Sequence, residues 1–178
     1  MIESIVRLYA EKAGSQYGSE AVSQLEHALQ CAQLALDAGA SNELAAAAFL
    51  HDIGHLVAPA PHELGRDVDD VHQYLALPFL RPGFGDAVLE PIRLHVEAKR
   101  YLCQAEPAYW SSLSPASRHS LALQGGVHDA EQAAAFLRQP FADDAVRLRR
   151  WDDLAKVPGA ATLDLGEMAH ILADAAQR

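Results

Sequence analysis

Apolar positions along this chain recur at spacings of three and four, and no stretch alternates convincingly with period two. The pattern predicts helices over residues 2–13, 20–38, 42–54, 65–79, 84–103, 115–124, 129–138, 141–155 and 164–176. Local signals bound several of them. Ser41-Asn42-Glu43 reads as the cap of an alanine-rich helix, and Gly39 as the close of the helix before it. Ser114-Pro115 opens another, with proline in its first turn. Pro59 and Pro61 make 56–64 a loop, and Pro158-Gly159 ends the helix that holds Trp151-Asp152. The run Leu44-Ala45-Ala46-Ala47-Ala48-Phe49-Leu50 is apolar on every face, so this helix is expected to be buried. The expected fold class is all-α: one compact helical bundle, a single domain over 1–178.

Composition narrows the function. Half of the 178 residues are apolar, with Ala and Leu dominant and Val, Ile and Thr sparse, which favours helix over strand. A net charge of −10 argues against a nucleic-acid partner, although a local Arg/Lys pocket can still receive a small anion. Cys31 and Cys103 show no CxxC spacing and fit reduced, buried thiols of a cytoplasmic protein. Glu3, Arg7 and Glu11 make the first twelve residues an amphipathic helix rather than a signal peptide. No apolar run reaches membrane-spanning length, so no membrane partner is expected. Nine histidines direct the search toward metal.

The adjacent pair His51-Asp52, followed by Ile53-Gly54, is the strongest chemical signal. It puts an imidazole and a carboxylate at the end of a buried helix. Ionisable groups are costly there unless something compensates them, and a bound cation would do so. Gly54 would let the helix end or bend. Four further residues complete a candidate ligand set. His27, His51, Asp52 and Asp152 would hold one metal; Asp52, His72 and His95 would hold a second, with Asp52 bridging. Imidazole and carboxylate together suit iron, manganese or zinc and need no thiolate. Each residue alone has a plainer explanation. His27 or His95 could be a satisfied core histidine, and Asp152, beside Asp153, a surface or capping carboxylate. Order and context together favour metal. His62 competes with His72, but from a proline-rich loop; His62, His119, His128 and His170 are otherwise expected to be structural or surface residues.

The order His, His-Asp, His, His, Asp resembles the two-metal form of the HD-domain superfamily. Longer stretches resemble one branch, the mixed-valent di-iron oxygenases that degrade hydroxylated phosphonates. They are YGSEAVSQLEHALQCAQLA (17–35), AAFLHDIGHL (47–56), PIRLHVEAKRYLC (91–103), LSPASRHSLALQGG (113–126) and FADDAVRLRRWDDLAKVPG (141–159). The resemblance implies an HD-domain bundle, two Fe ions as an Fe(II)/Fe(III) pair, O2 as co-substrate, and a small hydroxyphosphonate as substrate. It implies cleavage of the C–P bond of 2-amino-1-hydroxyethylphosphonate or its N-trimethyl analogue, giving phosphate and glycine or glycine betaine. It also implies that Tyr17 and Glu20 form a substrate-responsive element, in which the tyrosine holds one iron at rest and leaves when substrate binds. Ser117 resembles the serine that contacts the phosphonate.

Helical spacing suggests the remaining contacts. Lys99 follows His95 by four residues and His55 follows His51 by four, so both face the metal side. Arg149 precedes Asp152 by three, where a guanidinium could take phosphonate oxygens bidentately. Ser120 lies one turn beyond Ser117 at a proline-started helix end, which offers N–H groups to an oxyanion. Plain alternatives are a solvated Lys99, a surface ion pair for Arg149 and ordinary capping for the serines. Tyr101, Tyr109 and Trp110 could supply aromatic faces to a quaternary amine. Two rival functions share the ligand set: a metal-dependent HD phosphohydrolase acting on a nucleotide or phosphate ester, and a non-catalytic ligand-sensing HD module. Tyr17, Glu20 and Lys99 stand against the first, and the complete ligand set against the second.

Overall fold

The structure is a computed structural model that describes residues 1–17, 20–57, 69 and 71–177. Among the described residues it holds eleven helices and one isolated bridge, between Gln16 and Ser23. The helices are α1 (Ile2–Lys12), α2 (Gln24–Asp37), α3 (Asn42–Leu50), α4 (Gly54–Val57), α5 (His72–Leu80), α6 (Asp86–Ala105), α7 (Pro107–Ser112), α8 (Pro115–Leu123), α9 (Ala130–Leu137), α10 (Ala142–Leu154) and α11 (Leu165–Ala175). The fold is all-α, as the periodicity implies. No described helix is long and apolar enough to cross a membrane.

Helix α3 is the axis of the fold. Every residue from Leu44 to Leu50 is buried, and α2, α6, α10 and α11 all pack against it. A helix with no polar face can lie only at the centre of such a ring. Its alanines let the surrounding helices approach closely. Phe49 and Leu50 supply bulk at its C-terminal end, and each fully buried side chain of that size contributes about 1.5–3 kcal/mol. The Tyr9 hydroxyl of α1 donates to the Phe49 carbonyl at 2.8 Å and fixes the first helix beneath this end. Two smaller apolar clusters extend from α6. Leu94 and Ala98 pack with Phe136, Ala142 and Ala145; Leu102 and Cys103 pack with Tyr109, Leu113 and Leu121. They hold α7 to α10 against the half of α6 that carries His95 and Lys99.

Several boundaries differ from the expected ones. Helix α2 begins at Gln24, not at residue 20, because Ser23 caps it reciprocally. The Glu26 N–H donates to Ser23 Oγ at 3.2 Å, and the Ser23 N–H donates to Glu26 Oε2 at 2.7 Å. Glu20 therefore lies with Tyr17 in the loop before α2, where its N–H bonds the Tyr17 carbonyl at 2.9 Å. Helix α3 stops at Leu50; His51, Asp52 and Ile53 form a turn, and Gly54 starts the short α4. Helix α5 spans His72–Leu80, while 65–68 of the expected 65–79 helix lie outside the described residues, as does His62. Helix α7, entered through Pro107 at its first turn, has no counterpart among the expected elements.

Candidate metal centre

Five segments converge on Asp52. His27 comes from the middle of α2, His51 from the turn after α3, His72 from the first position of α5, His95 from the middle of α6 and Asp152 from the end of α10. All five are at most 6% exposed. The two carboxylate oxygens of Asp52 face different groups. Oδ2 lies 3.4 Å from His51 Nε2 and 3.9 Å from His27 Nε2, and these two imidazoles stand 3.7 and 3.6 Å from the Asp152 carboxylate. Oδ1 lies 3.2 Å from His72 Nε2 and 3.7 Å from His95 Nε2. This division matches the two expected ligand groups and puts Asp52 between them.

The donor chemistry fits cations. His51 Nδ1 donates to the Ala48 carbonyl at 2.8 Å, His95 Nδ1 to the Ile92 carbonyl at 2.7 Å and His27 Nδ1 to the Ala155 carbonyl at 2.8 Å. A neutral imidazole that donates through Nδ1 presents a bare lone pair at Nε2. His27 Nε2 and His51 Nε2 nevertheless face each other at 3.4 Å, with no proton to share in that tautomer. His72 Nε2 and His95 Nε2 stand 3.1 Å apart. Donors held at about 2.1 Å from one cation are separated by about 3.0–3.4 Å at octahedral or tetrahedral angles, the range these pairs show. Burial keeps His27 and His95 below the usual imidazole range, with His51 and His72 adding to the effect, so both stay in the ligating neutral form. Burial opposes ionisation of Asp52, but His51, His72 and His55 outweigh it and hold its carboxyl well below the usual range.

Two backbone features aim His72. Val71, the residue before it, sits at φ 48° in the left-handed region, which a β-branched residue rarely adopts. Gly54 passes so close that a Cβ there would lie 2.0 Å from the His72 carbonyl oxygen. The sequence suggests that Gly54 serves to end a helix. Its role in the fold is instead to let the His51-Asp52 turn lie against the backbone of His72.

Tyr17 lies on the Oδ2 side. Its hydroxyl donates to Asp52 Oδ2 at 2.5 Å and its ring stacks on His27, with centroids 4.0 Å apart. His55 stacks on His72 at 4.2 Å, with its Nε2 3.9 Å from Asp52 Oδ1. Cys31 places its thiol 3.7 Å from His27 Nε2, and burial pushes its pKa well up, keeping it protonated.

A polar wall is built on α6, α8 and α10. Lys99, 2% exposed, donates from Nζ to Ser120 Oγ at 2.8 Å. Burial, with Arg149 nearby, brings its pKa down to about 7. Ser114 Oγ caps α8 by accepting from the Ser117 N–H at 3.1 Å and donates to Glu20 Oε1 at 2.7 Å. Arg149, expected to meet substrate, is otherwise engaged. Nη1 donates to Asp152 Oδ2 at 2.5 Å, Nη2 donates to Asp153, and Nε bonds the Tyr109 hydroxyl at 3.1 Å and Asp153 Oδ2 at 3.2 Å. Tyr109 in turn donates to Asp153. This buried network fixes the direction and charge of Asp152. The carboxyl of Asp152 is disfavoured as an ion by burial yet held well below its usual range by Arg149, His51 and His27.

The aromatics considered for an amine are placed differently. Tyr101 packs on Phe136 at 5.2 Å, and Trp110 is 45% exposed under the Arg118 guanidinium. His128 is buried and bonds Glu97 at 2.7 Å, while His119 and His170 are exposed. Sequence reasoning missed Lys156 and Ser114. Lys156 follows Asp152 by four residues, as Lys99 follows His95, and that repeated spacing was the available signal.

The HD-domain family pattern matches residues 25–124. The chain is 47% identical over 156 residues to the hydroxymethylphosphonate dioxygenase of Gimesia maris, an alignment covering 86% of this chain and 78% of that protein. It is 35% identical over 173 residues to the glycine-betaine-forming [1-hydroxy-2-(trimethylamino)ethyl]phosphonate dioxygenase of Leisingera caerulea, covering 97% and 88%. An uncharacterized protein of Acanthamoeba polyphaga mimivirus is 35% identical over 164 residues, covering 88% and 73%.

Proposed function

The chain belongs to the HD-domain family, among its phosphonate dioxygenases, and on that premise we propose that it cleaves the C–P bond of a small 1-hydroxyalkylphosphonate with O2 at a di-iron centre. The reaction balances as hydroxyalkylphosphonate plus O2 giving a carboxylic acid plus phosphate. Hydroxymethylphosphonate, 2-amino-1-hydroxyethylphosphonate and its N-trimethyl analogue are the candidate substrates. The observation that carries the two-metal reading is the division of Asp52: each oxygen faces its own group of buried imidazoles, and those of His27 and His51 turn lone pairs toward each other.

His27, His51 and Asp152 would hold one iron, His72 and His95 the other, with Asp52 shared. Bound there, the pair supplies Lewis acidity toward the substrate's hydroxyl and phosphonate oxygens and the redox capacity to use O2. The chain's own residues do the rest. Lys99 and Ser120 present a charged and a neutral donor side by side for the phosphonate, with Ser117 and His55 as further donors. Arg149 keeps Asp152 ionised and aimed at the metal while Asp153 and Tyr109 hold the guanidinium in place. Tyr17 blocks the Oδ2 side of Asp52 until substrate displaces it, and Glu20, in the same loop, shares that movement. A plain phosphohydrolase has no use for a phenol bonded to the shared Asp52 carboxylate, and two of the three relatives are named as dioxygenases.

The test is anaerobic loading with iron, then O2 and each of the three phosphonates, with phosphate release followed by 31P NMR. Phosphate that appears only with both iron and O2 supports the reading. Turnover of none of them, alongside O2-independent hydrolysis of phosphate esters, overturns it.

A further inference from the structure

Gln30 is a buried polar residue to which the chemistry proposed above gives no part. It sits on α2 one helical turn after His27, so the two side chains leave the helix on the same side. Only 5% of it is exposed, and a primary amide so enclosed needs partners for both its N–H and its carbonyl. It finds both on one residue. Nε2 donates to the Val157 carbonyl at 2.9 Å, and Oε1 accepts from the Val157 N–H at 3.0 Å. The side chain thus grips the main chain as a neighbouring strand would.

Val157 belongs to the non-helical strap that leaves α10. Two residues before it, the Ala155 carbonyl accepts from His27 Nδ1 at 2.8 Å and so sets the direction of the Nε2 lone pair. Ala155 has left helical geometry, with φ −80° and ψ 48°. Its carbonyl belongs to a tight γ-turn, closed by a bond from the Lys156 N–H to the Leu154 carbonyl at 2.9 Å. A one-bond turn at the end of a helix is a weak support for a metal ligand's partner. Gln30 holds the residue after that turn at both its N–H and its carbonyl, which limits how far the Ala155 peptide can rotate. Further along, Gln33 Oε1 accepts from the Leu163 N–H at 2.9 Å. His27, Gln30 and Gln33, at intervals of three, therefore dock the strap along α2.

We infer that Gln30 is a positioning residue for the iron held by His27: by clamping Val157 it fixes the Ala155 carbonyl, and through that carbonyl the ring of His27 and the aim of its lone pair. The inference rests on the di-iron reading above. Gln30 touches neither metal nor substrate, and its effect is confined to one of the two metal groups. His95 takes its orienting carbonyl from its own helix and His51 from the helix before it, so neither depends on the strap.

The experiment uses the iron-loaded full chain as wild type, Gln30→Met and Gln33→Ala. Methionine keeps the length of the side chain without its amide. A competing chelator is titrated in, and the iron retained and the coupled mixed-valent EPR signal are followed together. Gln30→Met should release one iron at roughly tenfold less chelator than the wild type and lose the coupled signal with it, while the second iron is held as before. Gln33→Ala frees the same strap beyond the reach of His27 and should match the wild type in both readouts. Both irons held alike in Gln30→Met and the wild type overturn the inference. So does Gln30→Met loosening both irons equally, or Gln33→Ala losing the same iron as readily, because mere anchoring of the strap would do either. Should Gln30→Met fail to fold, Gln30→Glu, which keeps an acceptor for the Val157 N–H, carries the test. In the metal-free protein its His27 Nδ1 proton, followed by 15N NMR, should exchange about tenfold faster than in the wild type, and an unchanged rate overturns the inference. The two failures are distinguishable: a wild type that takes up no iron sinks the di-iron reading, whereas two irons held alike in wild type and Gln30→Met sink this inference alone.

Discussion

Gly54→Ala is the sharpest probe of how the fold builds the second metal group. A Cβ at residue 54 would sit 2.0 Å from the His72 carbonyl oxygen, 2.7 Å from its carbonyl carbon and 2.9 Å from its Cα. All three atoms are backbone, so no side chain can swing aside. Restoring ordinary contact at 3.4 Å requires about 1.4 Å of separation between the His51-Asp52 turn and the start of α5. His72 Nε2 stands 3.2 Å from Asp52 Oδ1 and 3.1 Å from His95 Nε2. Metal–ligand distances tolerate about ±0.2 Å, so the displacement exceeds the tolerance several times over. Overpacking of this kind costs about 1–3 kcal/mol, or roughly 2–12 °C in Tm for a chain of this length. His27 and Asp152 come from α2 and α10, away from the Gly54 approach, so the group they form with His51 should be disturbed less and keep its metal. The expected result is a folded protein, by far-UV circular dichroism, that binds roughly half the wild-type iron by elemental analysis and has lost C–P cleavage. Gly54→Ala with full iron and wild-type turnover would refute the argument that close approach, rather than turn geometry, requires the glycine.

Three further predictions follow from neighbouring groups. Lys99 has a pKa lowered to about 7, so its ammonium is present below that pH and lost above it; KM for the phosphonate should rise as pH passes upward through 7. Lys99→Arg stays charged and should flatten this dependence, and identical KM–pH curves for the two proteins would remove Lys99 from phosphonate binding. Tyr109→Phe deletes a hydroxyl that bonds both Arg149 and Asp153, and should cost about 1–3 kcal/mol in chemical denaturation and weaken iron binding by roughly tenfold; unchanged iron affinity would show that Asp152 needs no such support. Tyr17→Phe removes the 2.5 Å bond to Asp52 and should speed air oxidation of the iron-loaded protein without substrate, read optically against the wild type. An unchanged rate would remove Tyr17 as the gate.

The helical fold was legible because most of its helices are amphipathic and several carry a cap at a recognisable place. Ser41 and Ser114 both cap through the side chain as expected. The start of α2 was misjudged because Ala21 and Val22 continue the apolar spacing upstream; the Ser23–Glu26 box overrides it. The candidate ligands were legible as residue types at helical positions, but not the division of Asp52 between them, which depends on five segments meeting. Gly54 could not be understood from its neighbours, since the atoms it must admit belong to His72. Arg149 shows the same limit. Its spacing from Asp152 predicts proximity, but Asp153 and Tyr109 decide whether the guanidinium stays open to a ligand, and Tyr109 lies forty residues earlier in the chain. Lys156 was visible all along in the i, i+4 relation to Asp152, a relation already used for Lys99.

The tautomers explain why such a centre can be built before any cation arrives. His51 and His95 each bond through Nδ1 to a carbonyl three residues earlier, so their own helical turns set the ring orientation. His27 takes its carbonyl from Ala155, just past α10, so the ligand on α2 is oriented by the same segment that carries Asp152. For His51 the bond costs the local structure little, because the Ala48 carbonyl lies in the last turn of α3, where carbonyls lack full partners. What the Nδ1 bonds leave is strain at the centre: bare Nε2 lone pairs opposed at 3.4 Å, beside two ionised carboxylates. The fold supplies the ligands' rigidity from the periphery, through backbone carbonyls, the Gly54 approach and the Arg149 network, none of which depends on metal being present.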